Sequence, residues 1–207
     1  MTRQLTVAVP KGRTLKALVP LLSRAGIDVG TLLDADRTLI RHAAGLRFLL
    51  LKPDDVATYV ERGSADLGIC GRDMLREHAP DVAIPLDLRI GVCRMMVAGP
   101  VGVPIPEDVP RVATKYPRIA AEHFTKRGAQ AEIIALHGSV ELAALAGLAD
   151  VIVDLVETGE TLKQNGLETK EEVFAVSSML IVNRASAKLE RDAIEPILAK
   201  LRAALGT

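Results

Sequence analysis

The sequence has no tryptophan, and only three phenylalanines and two tyrosines in 207 residues. That removes the aromatic platforms on which proteins stack single-stranded nucleic acids. Charge of one sign is missing as well. Twenty-six basic and 26 acidic residues cancel, so no overall field draws the chain to nucleic acid or to an anionic membrane. Any anion site must be local. No apolar run approaches the roughly 20 residues of a membrane helix. The apolar stretch that follows Met1-Thr2-Arg3-Gln4-Leu5 breaks at Pro10-Lys11-Gly12-Arg13, too soon for a signal-peptide core. The expectation is a cytoplasmic protein with neither membrane nor nucleic acid as partner. Cysteine is scarce too: Cys70 and Cys93 lie in apolar surroundings without metal-ligand spacing, so free thiols are expected rather than a disulfide or zinc site. What remains, 49% hydrophobic and 25% charged, suits a soluble globular chain of one domain or two of about 100 residues each.

The most informative stretch is Val151-Ile152-Val153-Asp154-Leu155-Val156-Glu157-Thr158-Gly159-Glu160-Thr161-Leu162. Three β-branched residues lead to an acid, and a Thr/Gly run precedes the helix-forming Leu162-Lys163-Gln164, which predicts a buried strand, a tight loop and a helix start. The first N–H groups of a helix have no intrahelical acceptor and favour a phosphate. Gly159 lets that backbone come close, Thr158 and Thr161 add hydroxyls, and Thr158 is also a candidate N-cap. Asp154 is expected at the carboxyl end of the strand, where an acid accepts hydrogen bonds from sugar hydroxyls. A phosphate beside a ribose suggests a phosphoribosyl group. The same shape also occurs in α/β proteins that bind nothing.

Taken in order, residues 5–9 predict a strand, and the turn Pro10-Lys11-Gly12-Arg13 leads to a helix through Leu15, Leu18, Val19 and Leu22, stopped near Gly26. Lys11 and Arg13 thus follow a strand, where open sheets bind ligands, although spacing alone favours charges that are only solvated beside a turn. Residues 46–51 predict a strand, and Lys52-Pro53-Asp54-Asp55 opens a helix containing Val56, Tyr59 and Val60. A strand over 65–71 ends at Gly71-Arg72-Asp73, a turn able to present Gly71 backbone and Asp73 to a ligand, with Asp73 equally an N-cap. His78 has no partner motif and is expected at the surface. An apolar run at 90–98 meets the Pro/Gly cluster of residues 99–106, a boundary signal. Strands at 111–114, 131–136 and 151–156 then alternate with helices at 117–127 and 140–145, the pattern of βαβ units. Residues 174–182 predict a return strand. Ile194, Ile197, Leu198, Leu201 and Leu205 predict a final helix, with Pro196 at its start or at a kink. The expected fold is α/β, with mostly parallel sheets, helices on both faces and the active site in a cleft between two lobes. One lobe comprises residues 1–90 and 183–207, the other residues 91–182 with the loop.

The strand, acid and Thr-Gly-x-Thr-Leu ending resemble the phosphoribosyl-diphosphate (PRPP) loop of phosphoribosyltransferases, except that Leu155 follows Asp154 where the common purine and pyrimidine version has a second acid. Joined with Val9-Pro10-Lys11-Gly12-Arg13, Tyr59-Val60-Glu61-Arg62-Gly63-Ser64-Ala65-Asp66-Leu67-Gly68-Ile69, Gly71-Arg72-Asp73, Ala113-Thr114-Lys115-Tyr116-Pro117, Gly138-Ser139-Val140-Glu141-Leu142 and Gly147-Leu148-Ala149-Asp150, it resembles ATP phosphoribosyltransferase over nearly the whole chain. The resemblance implies a periplasmic-binding-protein-like pair of lobes and attack of adenine N1 of ATP on C1 of PRPP, the first step of histidine biosynthesis. It implies the short form, a catalytic subunit that works with a regulatory subunit related to histidyl-tRNA synthetase, as a hetero-oligomer and homodimer. It implies Mg2+ held mainly by substrate phosphates. It assigns PRPP to Asp154, Glu157, Thr158, Gly159, Glu160, Thr161, Leu162 and Glu141, and ATP or diphosphate to Lys11, Gly12, Arg13, Lys52, Gly71, Asp73, Lys115 and Tyr116. No residue is assigned a covalent role. Lys52 stands where the family usually has Arg, which loses the planar fork that grips phosphate; Arg37 and Arg47 are the candidates to compensate. The alternatives are a non-catalytic two-lobed solute-binding protein and a phosphoribosyltransferase acting on another base.

Overall fold

A computed structural model describes residues 3–34 and 38–206. In chain order it contains β1 (Thr6–Pro10), α1 (Arg13–Arg24), β2 (Ile40–Ala43), β3 (Leu46–Leu51), α2 (Val56–Glu61), β4 (Leu67–Gly71), α3 (Arg72–His78) and β5 (Val82–Asp87). There follow β6 (Cys93–Pro100), β7 (Arg111–Thr114), α4 (Pro117–Lys126), β8 (Glu132–Ala135), α5 (Val140–Leu145), β9 (Val151–Val156), α6 (Glu160–Gln164) and β10 (Leu167–Val176). The last elements are β11 (Ser178–Asn183), α7 (Ser186–Leu189) and α8 (Arg191–Leu205). The chain divides into two compact units, Met1–Gly91 with Ser177–Thr207, and Val92–Val176.

The first unit is built on a six-stranded sheet in the order β2-β3-β1-β4-β11-β5. Alternation along each strand decides which face meets which helix. Val7, Val9, Leu67, Ile69, Leu180 and Val182 share a core with α1 (Leu15, Leu18, Leu21, Leu22) and α8 (Ile194, Leu198, Leu201). The apolar stripe of the last helix is therefore its core face, and Pro196 sits inside that helix. On the opposite face α2 lies so close to β4 that a Cβ on Gly68 would stand 2.6 Å from Val60 Cγ2 and 3.1 Å from Val56 Cγ1; only glycine permits that approach.

The second unit has five strands in the order β10-β6-β9-β7-β8. Met96, Ala98, Ala113, Ile152 and Val156 pack with Val140, Ala143 and Ala144 of α5 and with Leu162 of α6. Helix α4 takes the other face: its His123 bonds Glu171, which pairs in register with Val97 rather than with Met96.

The α/β class and the two-sheet architecture with helices on both faces are as the sequence predicts, but the sheets are mixed rather than mostly parallel. Strands joined through helices, β1 with β3 and β4, and β7 with β8 and β9, are parallel. Antiparallel pairs come from the β2–β3 hairpin and from β5, β6, β10 and β11. The apolar run at 174–182 is two strands, one in each sheet, so the chain passes between units at Val176–Ser177. The Pro/Gly segment after β6 is a loop inside the second unit, where Gly102 N donates to Glu168 of β10 at 3.1 Å. No helix among the described residues is long and apolar enough to cross a membrane.

Candidate active site

In the first unit, strand register brings the predicted residues to one sheet edge. Pro10 lies opposite Leu51 in the parallel β1–β3 pair, so Lys11 and Lys52 leave the sheet side by side, and Lys11 N donates to Leu51 O at 2.9 Å. Ala8 lies opposite Gly68, so Gly71 at the end of β4 reaches the same edge. Gly12, with φ +84° and ψ −136°, turns the chain into α1, a conformation that L side chains rarely adopt. Lys11, Gly12, Arg13 and Lys52 are exposed. Gly71 is the N-cap of α3, and Asp73, in its first turn, is buried. A Cβ on Gly71 would stand 2.1 Å from Asp73 Oδ1, so the carboxylate lies on the Gly71 backbone. Burial, then the Asp73 and Asp54 carboxylates, push the Cys70 thiol up to about 12, leaving it protonated and a poor nucleophile at neutral pH. Arg47 is at the amino end of β3, opposite Thr6, and so cannot stand in for an arginine at Lys52. Arg37 lies outside the described residues.

In the second unit the corresponding edge is formed by β7, β8 and β9. Thr114 lies opposite Val153 and Ala135. Lys115 and Tyr116, expected with the ATP or diphosphate residues, therefore fall beside Asp154 on the unit that carries the loop. Lys115 is exposed, whereas Tyr116 is buried and donates its N–H to Thr114 Oγ1 at 2.8 Å. Asp154 is within β9, not at its end, and pairs with Met96. Its half-buried side chain is thus on the face covered by α5, where Glu141 occupies the first turn. Asp154 Oδ1 accepts from Leu155 N at 2.8 Å.

The loop after β9 carries Glu157 and Thr158, both exposed, and Gly159, which at φ +79° is the N-cap of α6 in place of the expected Thr158. Thr158 Oγ1 instead accepts from Glu160 N at 3.4 Å. Because α6 has five residues, its dipole is small. Glu160 Oε1 accepts from Gln164 at 3.0 Å, and Thr161 is exposed. Leu162 is 6% exposed and belongs to the core, so its side chain is anchorage rather than contact.

Sequence reasoning missed residues whose position depends on register. Arg94 of β6 lies opposite Val156, where the loop begins. Ser139, with φ +46°, caps α5 at the same edge. Thr114 is fully buried, and its hydroxyl also donates to Val153 O at 2.6 Å. His78 is exposed, as predicted.

Asp150, the acid of the Gly147-Leu148-Ala149-Asp150 motif, has a structural role. Its carboxylate accepts from Arg111 N at 2.8 Å, Nε at 3.2 Å and Nη2 at 2.7 Å. Bonds from the Arg111 side chain and then its backbone hold Asp150 below the ordinary carboxylate range. A depressed folded value means that the contribution is complete above the unfolded pKa and disappears as pH falls through the folded one. The difference in melting temperature between wild type and Asp150→Asn should therefore be positive at neutral pH and shrink towards zero in acid. A difference that does not vary with pH in thermal melts would refute the ion pair's role.

Comparison with known proteins gives one consistent picture. The HisG family model, ATP phosphoribosyltransferase, matches residues 52–203. An ATP phosphoribosyltransferase of Sorangium cellulosum is 58% identical over 206 residues, covering 99% of this chain and 97% of the relative. One from Halorhodospira halophila is 50% identical over 207 residues, covering 99% and 97%. Among solved structures, an ATP phosphoribosyl transferase (HisG:HisZ) complex from Thermotoga maritima matches with a TM-score of 0.84 at 36% identity, covering 98% of this chain and 99% of that one. The substrate binding protein of an amino acid ABC transporter matches with a TM-score of 0.60 at 12% identity over 97% and 92%, a likeness of fold.

Proposed function

We propose, since the chain belongs to the ATP phosphoribosyltransferase family, that the edge of β7 and β9 with the loop at 157–161 holds PRPP, and that the edge of β1, β3 and β4 takes phosphates of ATP or diphosphate. The enzyme transfers the phosphoribosyl group of PRPP to N1 of the adenine of ATP, giving phosphoribosyl-ATP and diphosphate, the first step of histidine biosynthesis. The observation that carries the PRPP assignment is the strand register, which brings Asp154, Lys115 and the backbone donors of the Gly159 turn to one edge. The loop N–H groups and the hydroxyls of Thr158 and Thr161 bind the 5-phosphate. Asp154 accepts from the ribose hydroxyls, and Glu141 orients a hydroxyl or a water. Lys11, Arg13 and Lys52 hold phosphate charge.

Little covalent help is needed. C1 of PRPP gains positive charge as diphosphate departs, so the residues' work is alignment of the adenine nitrogen and electrostatic support of the leaving group. Carboxylates of the loop such as Glu157 and Glu160 offer single oxygen donors of the kind Mg2+ prefers. Among the described residues no group of three or more His, Cys, Asp or Glu is arranged to hold a metal, so we assign most of its ligands to substrate phosphates and water. Bound there, it supplies charge neutralisation on the diphosphate.

The match over 97% of a relative's length and the Thermotoga HisG:HisZ complex support the short-form reading with a second subunit; to this we add, from the family resemblance, that the subunit is regulatory and related to histidyl-tRNA synthetase, that the catalytic part is a homodimer and that the enzyme is cytoplasmic. The fold shared with solute-binding proteins does not decide activity. Turnover of ATP and PRPP with Mg2+, with and without that subunit, tests the reading. Asp154→Asn and Thr161→Val are each expected to weaken PRPP binding by about 1.5 to 3 kcal/mol with the fold intact. Unchanged PRPP affinity in both variants, measured by calorimetry, would sink the loop assignment.

A further inference from the structure

Arg72, a cation on the first unit's sheet edge, has as yet no role in the reaction. Arg72 follows Gly71, the strand end that register places beside Lys11. Continuing across the sheet, Ser178 lies opposite Gly71 and Met179 opposite Asp87. Lys52, Lys11, Arg72, Ser177 and Asp87 therefore follow one another along a single edge. Arg72 Nη2 donates to Asp87 Oδ2 at 3.2 Å and lies 4.0 Å from Met179 Sδ. The same Oδ2 accepts from the Ser177 hydroxyl at 2.9 Å, and Oδ1 accepts from Arg89 N at 2.9 Å. Backbone joins the group too, since Arg72 N donates to Ser177 O at 2.9 Å.

Asp87 is thus fixed by two donors other than Arg72 and serves as an anchor for the guanidinium. The Arg72 side chain remains 41% exposed. These side-chain contacts all use Nη2, whereas a guanidinium carries five N–H donors in a rigid fork suited to phosphate oxygens. An arginine held at one corner by a carboxylate keeps its orientation and loses less freedom when it binds. Lys52, a point charge, cannot make that two-pronged contact.

We propose that Arg72 is a substrate-contacting residue, binding phosphate of ATP or of diphosphate on this edge, and that Asp87 and Ser177 are positioning residues that hold its guanidinium. The proposal rests on the assignment of this edge to those phosphates. A simpler role for Arg72 is to neutralise Asp87, and the two roles separate in a double variant. Calorimetry on the full chain with Mg2+ uses ATP, inorganic diphosphate and PRPP as probes, with thermal melts to confirm folding. Arg72→Met should weaken ATP or diphosphate about tenfold or more, the size of one lost charge-assisted contact; PRPP, which carries the same diphosphate, should weaken together with diphosphate and stay within about twofold of wild type where ATP is the ligand held. Arg72→Lys should recover part of the loss, and Ser177→Ala should weaken the same ligand by a few-fold. In the double variant Arg72→Met with Asp87→Asn, the affinity should stay near that of Arg72→Met. Return of the double variant to wild-type affinity would show that Arg72 only cancels the Asp87 charge and would overturn the proposal, as would an Arg72→Met chain that binds both probes normally. A wild-type chain that binds neither ATP nor diphosphate would overturn the edge assignment itself, and this inference with it.

Discussion

Replacing Asp66 with alanine is expected to destabilise the first unit by about 3 to 5 kcal/mol, the cost of stripping a buried anion from its hydrogen-bonded partners. Asp66 is fully buried. Its Oδ2 accepts from Thr6 N at 2.8 Å and its Oδ1 from the Ser186 hydroxyl at 2.7 Å, so the alanine variant would leave two buried donors unsatisfied. Arg3 also reaches Oδ1 at 3.1 Å, but it is 58% exposed, and a solvated partner adds little. Arg3→Ala should therefore cost less than about 1 kcal/mol. These contacts join the start of β1, the turn before β4 and the start of α7. Asn183 extends the brace, donating to Val60 O at 2.8 Å and accepting from Ala185 N at 2.9 Å and Ser186 N at 3.0 Å. All of this is at the amino ends of the parallel strands, the edge opposite Lys11, Lys52 and Gly71. Loss of stability with unaltered ATP affinity at permissive temperature is the expected pattern. Urea unfolding that places Asp66→Ala within about 1 kcal/mol of wild type would show that the network is not a brace.

Asp66 also illustrates what could and could not be seen in the sequence. The strand it precedes is legible, because Leu67-Gly68-Ile69-Cys70-Gly71 is a short apolar run closed by glycine. Nothing local says that the preceding acid is buried, since its partners are distant in sequence. The same holds elsewhere. The strands Leu46–Leu51 and Val151–Val156 and the helix Val140–Leu145 emerge at the predicted residues because strong apolar patterns specify them. The four-residue β2 escapes, as does β5, which carries Pro85 near its middle; short or interrupted edge strands give a weak period-2 signal. The run at 174–182 is continuous in hydrophobicity, yet polar Ser177 divides it into strands of two different sheets, a division made by tertiary pairing rather than by composition.

The candidate sites divide in the same way. Gly12 and Gly159 are legible as turn glycines, and both have positive φ. Leu162 and Tyr116 are legible as parts of motifs, but motif membership does not say which way a side chain points, and both are buried. Charge groups Lys115 with Lys11 and Lys52, and register separates them because β7 and β1 belong to different sheets. Charge type is a property of the residue; its neighbours are a property of the pairing.

Thr114→Val should be the most damaging conservative change in the second unit. The two side chains have nearly the same shape, so the comparison isolates the hydroxyl. Thr114 is fully buried; its Oγ1 donates to Val153 O at 2.6 Å and accepts from Tyr116 N at 2.8 Å. That single oxygen ties the end of β7 to β9 beside Asp154, and it satisfies the N–H of the residue that caps α4. Valine leaves the Tyr116 N–H buried without this acceptor and removes a donor from Val153, a cost of about 2 to 4 kcal/mol. A second effect follows from the place of the bridge. Lys115 and Asp154 lie just beyond it, so the variant should also lose PRPP affinity several-fold at temperatures where it remains folded, whereas Thr114→Ser, which keeps the oxygen, should retain most of both properties. Urea unfolding and PRPP calorimetry on the two variants separate the effects: a valine variant within about 0.5 kcal/mol of wild type would remove the bridge from the account, and one that is destabilised but binds PRPP normally would show that the bridge supports the fold without positioning Asp154.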